Sequence, residues 1–161
     1  MRGGALPPAL LASALGFALA FVPRKAIAPG VAAFAAVAVA ASFAKTDPAW
    51  TDAIFYACWA SVAVTALCVH IPRPPPLVAI LALSANAGLW AGAVISAAGA
   101  PVDLAKSVPL VLICLPASWL IARRLGIAVK VVASWLVAVS VLASALPTLT
   151  PTPGYVGDHM E

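Results

Sequence analysis

The residues able to do chemistry are few in this chain, and they stand apart. Cys58, Cys68 and Cys114 each sit inside an apolar run, with no CxxC pair and no histidine at ligand spacing. They read as small packing side chains rather than zinc ligands or disulfide partners. Asp47, Asp52 and Asp103 fall in polar breaks between apolar runs, where they could converge with Trp50 and Lys106 on one side of the molecule. Asp47-Pro48 has the form of a helix cap followed by proline at the first helical position. Asp103 and Lys106 have the i, i+3 spacing of a helix-surface pair. Nothing in this pattern fixes two carboxylates close together in a buried place, as acid/base catalysis requires. Asp158, His159 and Glu161 close the chain as adjacent potential metal ligands, but a chain terminus is a poor preformed site. No catalytic, cofactor-binding or metal-binding residue is assigned, and no cofactor is expected.

Two polar features lie within the apolar runs. Asn86 is the one amide there, and an amide at such depth needs a partner on another helix or a wet cavity. Ser61, Thr65, Ser118, Ser134, Ser140 and Ser144 are the available partners. Around it, Ser84, Gly88, Gly92 and Ser96 recur every four residues and include a GxxxG step. Small residues at that spacing let another helix approach closely, either within the bundle or from a second copy or partner. Asn86 lies about 200° around the helix from Gly88 and so belongs to a different face.

The elements that must hold these residues are long and apolar. The 161 residues are 64% hydrophobic and 9% charged, whereas soluble domains run near half apolar and a quarter charged. Six runs stand out, at 6–22, 26–44, 53–71, 77–100, 108–125 and 127–146, with a Pro/Thr-rich tail at 147–161. Each run is near the ~20 residues that carry an α-helix across ~30 Å of hydrocarbon. None alternates with period two as a barrel strand does. The expected fold is an all-α integral membrane protein of six transmembrane helices arranged as three hairpins, the first two helices being the weakest. Pro72, Pro74, Pro75 and Pro76 form a stiff break between the third and fourth. Pro116 falls inside the fifth and is expected to kink it, with Ser118 or a neighbouring helix taking up the freed carbonyl.

The charges are sorted. Arg24, Lys25, Arg73, Arg123, Arg124 and Lys130 occupy the odd loops or their margins, while Arg2, Lys45 and Lys106 lie on the other side. All five acids fall in even loops or the tail. Lys and Arg near helix ends are retained in the cytoplasm, so the expected orientation puts the odd loops inside and both termini on the outer side of a bacterial inner membrane. Met1-Arg2 and the apolar stretch to Ala20 loosely resemble a secretory leader, but cleavage there would invert the charge balance of every later loop. Arg24, Arg73 and Arg123 recur at 49 and 50 residues, an interval that two membrane-length helices and their loops already produce. The net charge of +4 lies at helix ends rather than along a stripe for phosphates, so no nucleic-acid partner is expected.

His70 and Lys130 lie near helix ends at headgroup depth, and Arg123, Arg124 and Lys130 are candidates to meet anionic lipid heads. No acid lies within an apolar run, so the proton relay common in coupled transporters is missing. The expected function is non-enzymatic: a small accessory, scaffold or assembly subunit that packs against itself or a membrane partner in the bilayer. The rival is an oligomeric permease for a neutral or apolar solute, with Asn86 and the Pro116 kink lining its path.

Overall fold

A computed structural model describes residues 6–72 and 75–146. These residues form seven α-helices: α1 (Leu6–Leu19), α2 (Arg24–Ser42), α3 (Thr51–Leu67), α4 (Leu77–Ala98), α5 (Pro101–Ser107), α6 (Cys114–Ala122) and α7 (Gly126–Ala145). Turns of 3₁₀ helix at Pro48–Trp50 and Cys68–His70 lengthen α3, and a 3₁₀ stretch at Val108–Ile113 joins α5 to α6. No strand occurs among the described residues. Five continuous helical stretches are long and apolar enough to cross a membrane: Arg24–Ser42, Pro48–His70, Leu77–Ala98, Pro101–Ala122 and Gly126–Ala145.

The first helix departs most from expectation. It stops at Leu19 instead of running to residue 22, because Pro23 disfavours helical backbone in the residue before it. At 14 residues it covers only ~21 Å. Yet it is the centre of the bundle. Its sequence is apolar on every side, and a helix of that kind must be covered on every side. Leu11, Ala12, Ala14 and Leu15 are fully buried, and α3, α4 and the 3₁₀ stretch pack around them. Pro7 and Pro8 are buried in its first turn, where their missing N–H groups would have had no partner in any case.

Around this axis the most extensive helix contact joins α2 to α4, followed by α3 with α7. The outward faces are apolar: Val78 and Leu89 on α4, Leu115 and Trp119 on α6, and Val131, Trp135 and Leu142 on α7 are all exposed. An apolar girdle of this extent would drive aggregation in water and suits a hydrocarbon surround.

The expected fifth helix, 108–125 with a kink at Pro116, takes another form. Helical backbone begins earlier, at Pro101, passes through 3₁₀ winding at Val108–Ile113 and resumes as α helix at Cys114. Pro116 therefore sits in the first turn of α6, where its ring is tolerated; the tighter winding before it moves the carbonyl with which an interior proline collides. Ser118 does not serve a carbonyl freed by Pro116. Its hydroxyl donates to the Cys114 carbonyl at 2.6 Å.

Candidate functional site

A side-chain bridge between α3 and α4 is built on Ser61, Asn86 and Trp90. The Asn86 amide nitrogen donates to the Ser61 hydroxyl at 2.7 Å, and the Trp90 indole N–H donates to the Asn86 carbonyl oxygen at 3.1 Å. Of the six hydroxyl partners available by sequence, the fold selects Ser61. Asn86 and Trp90 are four residues apart and share one face of α4. All three groups are neutral at ordinary pH, so the chain fastens two helices but supplies no base to activate Ser61.

The stripe of small residues lies on another face, and the structure places it against α2. A Cβ added at Gly88 would come within 2.5 Å of the Phe34 carbonyl oxygen, and one at Gly92 would collide with the Ala38 carbonyl. Ser84 is opposite Gly30, and the Ser96 hydroxyl shares a 2.7 Å hydrogen bond with Thr46 just past α2. Ser84, Gly88 and Gly92 thus meet α2 of the same chain, and Ser96 meets the segment just past it. Gly16 makes a comparable approach: a Cβ there would stand 2.7 Å from the Val111 carbonyl oxygen. The signal was a glycine with alanines at i−4 and i+4, Ala12 and Ala20, a spacing that is commonplace in so alanine-rich a chain.

Two buried hydroxyls, Thr65 Oγ1 and Ser84 Oγ, have no hydrogen-bond partner among the described residues. The remaining hydroxyls are turned to local carbonyls: Ser140 to Val137 at 2.8 Å and Ser144 to Ser140 at 2.7 Å. Ser134 instead pairs with His70 Nε2 at 3.2 Å, tying α7 to the end of α3.

The loop acids are engaged in capping. Asp47 accepts from the Ala49 N–H at 2.9 Å with Pro48 at the first helical position, and Asp103 accepts from the Ala100 N–H at 3.2 Å. Asp52 lies in the first turn of α3, where a negative charge opposes the helix dipole favourably. Asp47 and Asp52 thus serve the start of the Pro48–His70 stretch, and Asp103 serves the start of α5. Among the described residues no group of three or more His, Cys, Asp or Glu is placed to hold a metal ion. Asp158, His159 and Glu161 lie outside the described residues.

At the opposite end, Arg24 and Lys25 form the exposed first turn of α2. Lys130 Nζ stands 6.0 Å above the Phe21 ring, and the Arg123 guanidinium lies 4.9 Å above Trp119. Arg124 takes a left-handed backbone, φ 63°, in the turn between α6 and α7. Arg73 lies outside the described residues. The chain matches no protein-family model, no curated protein and no solved structure.

Proposed function

We propose that this chain is a small multi-pass protein of the bacterial inner membrane, with six helices running alternately up and down as three successive hairpins. The basic end faces the cytoplasm and both termini lie outside. It works without catalysis, as an accessory, scaffold or assembly subunit that packs against itself or a membrane partner. The observation that carries this reading is the state of Asn86. Its amide nitrogen and its oxygen are both engaged within the bundle, by Ser61 and Trp90, as befits a fastening between helices rather than a contact waiting for solute. Neither Asn86 nor Pro116 lines the outer groove between α3 and α7 or the notch at the basic end.

Cysteine accessibility tests the reading against the permease. Asn86→Cys is placed in a background lacking Cys58, Cys68 and Cys114 and treated with a membrane-impermeant thiol reagent. A dry fastening leaves position 86 unlabelled while Trp50→Cys, at an exposed helix start, is labelled normally. Labelling at 86 requires water at the centre of the bundle and would replace the scaffold reading with transport.

A further inference from the structure

The basic end of the bundle carries an apolar notch of about 80 Å³ between the end of α1, the end of α3 and the start of α4. Leu19, Phe21, Val22, Cys68, Ile80 and Leu83 line it. Its rim is cationic. Lys130 is held over the Phe21 ring, and Arg24 and Lys25 follow Phe21 by three and four residues.

The helix ends add to this charge. α2, α4 and α7 all begin at this end, none has a side-chain cap, and none has an acid in its first turn. These three helix starts thus have no side-chain partner for their first N–H groups, and each carries the partial positive charge of its dipole. Arg24 and Lys25 sit on the unfavourable pole of α2, and the described acids, Asp47, Asp52 and Asp103, are all used at the far end. Nothing among the described residues neutralises this surface.

An apolar slot beneath an uncompensated cationic rim is complementary to a molecule with an anionic head and an apolar tail. We infer that the notch seats a short stretch of one acyl chain of an anionic phospholipid, with its phosphate among Arg24, Lys25, Lys130 and the start of α2. The cavity is too small for a partner helix, whose diameter is about 10 Å. An acidic peptide would satisfy the rim and leave the slot open. The seat rests on the bundle lying in a bilayer, as proposed above, but not on which compartment the basic end faces.

The test uses the full chain purified in a non-ionic detergent. Phosphatidylglycerol and phosphatidylcholine of equal chain length are offered in competition, and native mass spectrometry counts the lipid retained. The wild-type chain retains phosphatidylglycerol preferentially, and Lys130→Gln reduces that preference by about five-fold, the share of one interfacial cation. Val22→Trp fills the slot and leaves the rim intact, and it brings retention down to the phosphatidylcholine level. Phe21→Leu keeps the slot and loosens Lys130, giving an intermediate result should Val22→Trp fail to fold. Equal retention of the two lipids by the wild type overturns the proposal. So does an undiminished preference in a folded Val22→Trp protein, which would mean diffuse headgroup attraction without a seat. Inorganic phosphate alone raising the melting temperature as far as phosphatidylglycerol would also overturn it. These outcomes are separate from failure of the scaffold reading, which is decided by labelling at position 86.

Discussion

Polar side chains in this bundle divide into those whose partners are supplied and those left without, and the division predicts opposite responses to substitution. Asn86 is supplied. Interhelical hydrogen bonds in lipid contribute about 0.6 kcal/mol on average and seldom above ~1.7, so Asn86→Leu is expected to lower stability by no more than that, measured as a shift in thermal unfolding in mild detergent. Thr65 is not supplied: its hydroxyl is fully buried and unpartnered. Thr65→Val keeps the shape, removes the orphan group, and is expected to stabilise by about 1 kcal/mol. A fall in stability on Thr65→Val would mean that the hydroxyl has a partner the fold does not reveal. Arg124 is a third kind of residue, strained by its backbone. The left-handed conformation costs a non-glycine residue about 1 kcal/mol, so Arg124→Gly is expected to stabilise the α6–α7 turn by up to that amount. That an arginine stands there agrees with its charge being wanted at the basic end.

At the scale of elements, the close approach of α4 to α2 is the contact most exposed to a single change. Gly92→Leu must push its side chain through the Ala38 carbonyl and is expected to cost ~3 kcal/mol or more. Leu89→Ile, on the exposed face of α4, should cost under ~1 kcal/mol. Equal melting temperatures for the two variants would remove the stripe from the account of packing. The stripe and the separate face of Asn86 were both legible in the sequence, because helical periodicity alone fixes which residues of α4 share a side. The Asp47-Pro48 helix start was legible for a similarly local reason. The partner of the stripe was not, since spacing cannot say whether the approaching helix belongs to the same chain. The central place of α1 was hidden too. An apolar helix reads alike whether lipid or protein surrounds it, and its run at 6–22 read as one of the two weakest. The winding at Val108–Ile113 escaped because it arises from Pro109 and Pro116 acting together with the close packing of Gly16 against Val111. Pro29 inside α2 was passed over, although it removes one backbone hydrogen bond near the helix start.

Taken as a whole, the molecule has two ends that differ in how helix starts are satisfied. At one end Asp47 and Asp103 cap helix starts and Asp52 opposes a dipole. At the other, α2, α4 and α7 begin uncapped beside Arg24, Lys25 and Lys130. Capping by the chain's own acids would have been available at both ends to a protein with no preferred orientation. Its restriction to one end is consistent with the proposed orientation, in which Lys and Arg are retained on the cytoplasmic side. The capping asymmetry of the fold follows the same division as the charge sorting in the sequence. It predicts a single orientation. A reporter active only in the cytoplasm, fused after residue 75, should be active, and the same reporter after residue 161 should be silent; a periplasmic reporter should give the reverse. Activity of both cytoplasmic fusions would show an even number of crossings after residue 75, so that one of the stretches Leu77–Ala98, Pro101–Ala122 and Gly126–Ala145 fails to cross; failure of α1 alone would leave both readings unchanged. Signals from both reporter types at one site would mean two orientations in the same membrane. Reversing the bias with Arg24→Glu and Lys25→Glu should shift the residue-75 reporter toward the outside if these two cations contribute to orientation, and should leave it unchanged if Arg123, Arg124 and Lys130 suffice. The first result is expected, because Arg24 and Lys25 are made early and flank the first pair of helices.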